Sequence, residues 1–140
     1  MLRVTFSELY DQGVICEGII LKPNMVVSGQ DSKKKADIEE VARKTVATLR
    51  RSVPSAVPGI MFLSGGQSEE LATAHLNIMN AIFPGQPWKL SFSFGRALQQ
   101  SALNAWRGEK KNIAIAQEAF LRRARENSLA CAGKLPLNAN

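Results

Sequence analysis

Apolar positions along the chain switch between a helical and an extended spacing. Leu2, Phe6, Leu9 and Tyr10 recur at helical period and Gly13 follows as a stop, predicting a short helix over the first dozen residues, with the chain opening inside an element. Val14 to Leu21 is rich in β-branched residues, interrupted only by Glu17 and Gly18, and predicts a buried strand ending at Lys22-Pro23. The proline ring keeps the residue before it out of the α region, so Lys22 is expected to be extended at that strand's C-terminal end. Val26 to Ala36 is a polar loop. Asp37 with Glu40 resembles a capping box before Ile38, Val41, Ala42, Thr45 and Leu49, a helix expected to run to about Arg51. Beyond Pro54 and Pro58, Gly59 to Leu63 predicts a second buried strand leading into Ser64-Gly65-Gly66. A helix capped at Ser68 follows, with Leu71, Ala74, His75, Ile78 and Ile82 as its apolar stripe, stopping near Pro84-Gly85.

Leu90 to Phe94 predicts a third strand, and Ala97, Leu98, Ser101, Ala102, Ala105 and Trp106 start a helix directly after Gly95-Arg96. Asn112 to Ala130 predicts a last helix with Ile113, Ala116, Phe120, Leu121 and Ala124 on its apolar side. Strands alternating with helices at this spacing indicate an α/β fold with a parallel sheet. A complete (β/α)8 barrel takes about 250 residues. If the sheet belongs to such a barrel, this is a partial TIM barrel: the last three βα units, the helix before them and a C-terminal helix, with open sheet edges. Residues 1–134 would form this portion and residues 135–140 a mobile tail.

With 140 residues and 45% hydrophobic content, the chain can bury the core of one domain. The sequence lacks both a run of about 18 apolar residues and a signal-peptide pattern, so a soluble intracellular protein is expected. Cys16 and Cys131 have no metal-ligand spacing and read as free thiols. The net charge of +6 favours anionic partners: nucleic acid, an acidic surface or a phosphorylated metabolite. The basic clusters at Lys33 to Lys35, Arg50-Arg51, Lys110-Lys111 and Arg122 to Arg125 lack the interleaved aromatics of single-strand binders, and read as solvated faces.

In α/β barrels the reacting groups sit at the C-terminal ends of the strands, and loops late in the barrel often hold phosphate at a helix N-terminus. Lys22, Ser64-Gly65-Gly66 and Ser93-Phe94-Gly95-Arg96 fall at three such ends and are expected to face one pocket. Glycines let backbone N–H groups approach phosphate oxygens, helix N-termini add partial positive charge, and Arg96 can donate two parallel bonds. Ser64 and Ser93 offer hydroxyls. An apolar, cation-rich pocket would disfavour the ammonium form of Lys22 and free its amine to attack a ketone. Taken singly, a lysine at a strand end is usually solvated and a Gly-Gly pair is usually a turn. His75 reads as packed, and Trp88 and Trp106 as core or subunit-contact residues. Leu63-Ser-Gly-Gly-Gln67 matches the signature pentapeptide of ABC-transporter ATPases, but no G-x-x-x-x-G-K-[ST] loop and no aspartate ending the next strand accompany it.

Glu17-Gly-Ile-Ile-Leu-Lys-Pro-Asn-Met-Val26, Gly59-Ile-Met-Phe-Leu-Ser-Gly-Gly-Gln-Ser-Glu-Glu70, Trp88-Lys-Leu-Ser-Phe-Ser-Phe-Gly-Arg-Ala-Leu98 and Asn127-Ser-Leu-Ala-Cys131 resemble blocks of the class I fructose-bisphosphate aldolases, in family order and spacing. The resemblance runs from about Leu9 to Lys134. It implies Lys22 as the imine-forming lysine, and Ser64, Gly65, Gly66, Ser93, Gly95 and Arg96 as the site for a substrate phosphate. It also implies glycolytic cleavage of fructose 1,6-bisphosphate without metal or cofactor, and a cytosolic homotetramer, with some members in plastids or glycosomes. Nucleic-acid and membrane partners are not expected. The family's acid/base carboxylates and second active-site lysine have no counterpart here, nor does its terminal tyrosine, since the only tyrosine is Tyr10. The expectation is thus a C-terminal fragment inactive alone. The alternative is a non-catalytic binding or assembly module using its basic surface and open sheet edges.

Overall fold

In a computed structural model, which describes residues 1–136, three strands form one parallel sheet in the order β1, β2, β3. They are β1 (Ile20–Leu21), β2 (Gly59–Phe62) and β3 (Lys89–Phe92), and the α-helices are α1 (Leu2–Asp11), α2 (Ile38–Arg50), α3 (Glu69–Ile82), α4 (Arg96–Trp106) and α5 (Ile113–Cys131). The fold is α/β. Leu21 stands beside Ile60, and Ile60 beside Leu90, so the three strands point their C-terminal ends the same way.

The sheet has unequal faces. Ile60 and Phe62 are fully buried, whereas Ile20 is 49% and Met61 37% exposed on the alternate side. Over the covered face, Val41, Val46, Leu49, Val57, Leu76, Met79, Leu90 and Trp88 form one core. Each such side chain contributes about 1.5–3 kcal/mol by leaving water. Trp88 is a core residue and donates its indole N–H to the Pro54 carbonyl at 2.8 Å. Trp106 is not, with 44% of its surface exposed.

The first expected strand is much shorter than Val14 to Leu21 and is not buried. Cys16–Gly18 winds into a 3-10 turn, with the Gly18 N–H on the Ile15 carbonyl at 3.0 Å, and Ile15 is 72% exposed. Pairing starts only at Ile20 opposite Gly59. The residue before Gly59 is Pro58, which has no N–H to donate, so the preceding residues find no ladder and close locally.

Helix boundaries follow the caps. The Asp37 carboxylate accepts the Glu40 N–H at 2.7 Å and the Ser68 hydroxyl accepts the Leu71 N–H at 3.2 Å, satisfying orphan donors of α2 and α3. The inward faces of α3 and α5 depart from their apolar stripes. In α3 the buried residues are Glu69, Ala72, Thr73, His75, Leu76, Asn77 and Met79, while Leu71 and Ile82 are 46% and 45% exposed. In α5 they are Arg123, Asn127 and Ala130, while Ile113, Phe120 and Leu121 are exposed. The helices meet through polar groups that bond one another, so hydropathy period misplaces the contact. Thr73 donates to Asn127 Oδ1 at 3.0 Å and Arg123 donates to Thr73 Oγ1 at 2.6 Å.

Past α5, Gly133 takes a left-handed φ of +65° against the Ala81 backbone. Of the segment 135–140, Leu135 is tied to Asn77 through both its N–H (3.1 Å) and its carbonyl (2.9 Å), and residues 137–140 lie outside the described residues. Among the described residues no helix is long and apolar enough to cross a membrane.

Candidate active site

The loops after the three strands are stitched side by side. The Leu63 N–H donates to the Pro23 carbonyl at 3.1 Å and the Ser93 N–H to the Phe62 carbonyl at 2.8 Å, so parallel pairing carries on past the strand ends. Lys22 is the first residue beyond β1 and is exposed. Gly65 and Gly66 both take left-handed backbone, at φ +57° and +82°. Gly65 also lies against the Asn24 side chain, where an added Cβ would overlap the carboxamide. Asn24 Oδ1 is itself held by the Met25 N–H at 3.0 Å, so the loop carrying Lys22 and the glycine loop share this contact.

A cavity of about 180 Å³ lies beside these loops, lined by Ser64, Gly66, Gln67, Ser68, Glu69 and, from the next unit, Arg96, Ala97 and Gln100. It brings together Ser64, Gly66 and Arg96 of the predicted set. The first turns of α3 and α4 both border it, and such turns carry unpaired N–H groups and partial positive charge. Lys22, Gly65, Ser93 and Gly95 do not line it. Lys22 stands on the neighbouring loop, Gly65 faces Asn24, Ser93 is half-buried, and Gly95 caps α4 by accepting the Leu98 and Gln99 N–H groups at 3.0 and 3.2 Å. Hollows of about 650 and 560 Å³ lie between α4 and α5 and contain none of the predicted residues. Their size does not locate the chemistry, because neither reaches the strand ends.

Two supporting groups escape sequence reasoning. Gln67 donates from Nε2 to the Ser64 carbonyl at 2.8 Å and accepts from His75 Nδ1 at 2.6 Å, fixing the chain entering the glycine turn. Burial lowers the His75 pKa from its ordinary 6.5, which favours this neutral donor. His75 is thus packed and structural. The second group is Glu69, whose carboxylate accepts the Ser101 N–H at 3.0 Å and the Ser101 hydroxyl, and lies 3.8 Å from buried Arg123. Its one signal in the sequence is its place inside the block running from Gly59 to Glu70. The exposed Glu70 carboxylate, by contrast, is held below its ordinary pKa by its backbone N–H and the Ser68 hydroxyl.

Together the fold and these loops define an α/β protein whose glycine, serine, lysine and arginine residues gather at the C-terminal ends of parallel strands. The sequence model of the family described as fructose-bisphosphate aldolase class-I matches residues 1–140, and the chain belongs to that family. The cytoplasmic isozyme of fructose-bisphosphate aldolase from Spinacia oleracea is 56% identical over 134 residues, 96% of this chain and 37% of that protein. Fructose-bisphosphate aldolase B of Gallus gallus is 55% identical over the same share of each chain. Fructose-bisphosphate aldolase from Plasmodium falciparum, solved with TRAP and a small-molecule inhibitor, superposes with a TM-score of 0.93 at 52% identity, covering 98% of this chain and 39% of that one. The chain spans a little over a third of the length of these relatives.

Proposed function

We propose that this chain supplies the Schiff-base lysine and one phosphate site of a class I aldolase that cleaves fructose 1,6-bisphosphate in glycolysis. The observation that carries the reading is the parallel alignment of three strands in a member of this family, with Ser64, Gly66 and Arg96 around one cavity beside the Lys22 loop. The amine of Lys22 attacks the C2 ketone and water leaves, giving an iminium. The C3–C4 bond then breaks, its electrons passing into the iminium to form an enamine while the C4 hydroxyl proton goes to a base. Glyceraldehyde 3-phosphate departs first. Protonation at C3 and hydrolysis of the imine release dihydroxyacetone phosphate and restore the amine.

Ser64, Gly65, Gly66, Ser93, Gly95 and Arg96 hold the phosphate of the ketone half, through N–H groups of the two first turns, the hydroxyls and the guanidinium. Gly65 acts by shaping the turn and Gly95 by presenting the first turn of α4. The architecture is the last three βα units of a (β/α)8 barrel with a preceding and a C-terminal helix, over residues 1–134. The open sheet face bearing Ile20 and Met61 is the side that further strands cover in the whole protein. That protein is a cytosolic homotetramer, a location in keeping with relatives named as cytoplasmic isozymes from Spinacia oleracea and Pisum sativum.

Borohydride reduction in the presence of dihydroxyacetone phosphate, followed by peptide mass mapping, tests the nucleophile. Lys22 is expected to carry the label and Lys22→Ala to abolish it. Label on another lysine, or none in folded protein, refutes the assignment.

A further inference from the structure

We propose that Arg123 is a positioning residue that sets the spacing between the first turns of α3 and α4 and so the width of the phosphate cavity. This rests on the phosphate reading above. The side chain comes from α5 and is 4% exposed. One nitrogen, Nη2, donates to the Glu69 carbonyl at 2.8 Å, to the Ala97 carbonyl at 3.1 Å and to Thr73 Oγ1 at 2.6 Å. Glu69 opens α3 and Ala97 lies in the first turn of α4, and both line the cavity. A single guanidinium therefore bridges its two walls from behind.

The Glu69 side chain makes the second tie. Its carboxylate takes both donors of Ser101 on α4 and faces Arg123 Nε at 3.8 Å, a nitrogen with no hydrogen-bond partner among the described residues. An unengaged carboxylate in the wall of an anion cavity would repel the ligand; here Ser101 donates to it and the Arg123 guanidinium, whose Nη1 pairs with Glu126 at 2.5 Å, stands 3.8 Å away. A buried ion pair is seldom the most stable filling for such a space, and well-packed apolar side chains usually do as well. Its position between two cavity walls fits a geometric role. Lysine is not an equivalent, because an ammonium lacks the planar fork that addresses carbonyls and a carboxylate together.

The test separates positioning from folding by using two ketones, one with phosphate and one without. Borohydride trapping at Lys22 is titrated with dihydroxyacetone phosphate and with dihydroxyacetone for the wild-type chain and for Arg96→Ala, Arg123→Met, Arg123→Lys and Ser101→Ala. Arg123→Met is expected to raise the half-saturating dihydroxyacetone phosphate concentration about tenfold, equivalent to about 1.4 kcal/mol, and to leave dihydroxyacetone labelling unchanged. Arg123→Lys is expected to recover less than half of that loss. Should Arg123→Met fail to fold, Ser101→Ala decides: a selective rise of about threefold supports the proposal and no rise overturns it. An equal loss for both ketones means a structural role only and also overturns it. If Arg96→Ala leaves the preference for the phosphorylated ketone intact, the phosphate reading itself falls and this inference with it.

Discussion

Replacing Gly65 with alanine tests the idea that the glycine turn is shaped by its contact with the Lys22 loop. At φ +57° a Cβ costs roughly 1–2 kcal/mol in backbone strain. The new methyl also meets the Asn24 carboxamide, with Nδ2 3.0 Å and Cγ 2.9 Å away. Asn24 must swing aside, and its bond from the Met25 N–H, at 3.0 Å, is lost for about 1 kcal/mol more. Gly66 is the internal control, since its φ of +82° carries the same backbone strain but its Cβ would meet nothing within 4 Å. Gly65→Ala should therefore destabilise by roughly 2–3 kcal/mol and Gly66→Ala by roughly 1–2 kcal/mol. Urea unfolding at pH 7 with an unchanged slope measures both. Combining Gly65→Ala with Asn24→Ala should remove the clash, so that the pair costs about 1 kcal/mol less than the sum of the single changes. Equal losses at the two glycines, or strict additivity with Asn24→Ala, would refute the contact as the cause.

Two further outcomes follow from buried groups away from the loops. His75 is the chain's single histidine, and burial depresses its pKa below the ordinary 6.5, so the unfolded chain takes up its proton first as pH falls. Stability should be unaffected by His75 above about pH 7 and decline as pH drops through 6.5 towards the lower folded pKa; in His75→Gln this part of the decline should vanish, and a wild-type slope in the variant would exclude the histidine as its source. Gly133→Ala adds a Cβ at φ +65° only 2.8 Å from the Ala81 nitrogen and 2.9 Å from its Cα, backbone that cannot rotate away. The expected loss is roughly 2–5 kcal/mol, read by calorimetry, and a loss below about 1 kcal/mol would show that the α3–α5 junction can shift.

Elements with strong local signals were legible. Asp37 and Ser68 marked the starts of α2 and α3 because a short acceptor ahead of an apolar period has a local use. Gly59 to Leu63 announced itself as a strand, observed over Gly59–Phe62, because its apolar run, the prolines before it and the glycines after it are local properties. The expected strand over Val14 to Leu21 failed because strand pairing depends on a neighbour. Its composition was right, but Pro58 ahead of the adjoining strand ends the ladder at Gly59, a fact recorded at least 39 positions away from the residues it affects.

The site shows the same division between what touches the ligand space and what holds it in shape. Glycine, serine, arginine and lysine at strand ends can be found by residue type, because their chemistry is declared by their side chains. Arg123 falls in a basic cluster that reads as a solvated face, Glu69, Thr73 and Asn127 lie outside the apolar stripes, and stripes drawn without these four turn α3 and α5 outward. Only their mutual hydrogen bonds make them interior residues, and these span 54 positions between Thr73 and Asn127 and 26 between Ala97 and Arg123. A polar residue inside a helix interface is stable there only if its partner is present, so burial at such positions is a property of pairs. Hydropathy scores residues one at a time and must therefore misplace this kind of face. Where two helix starts border an anion cavity, the partners that fix their separation belong to that hidden class, which is why the positioning role assigned to Arg123 could emerge only from the fold.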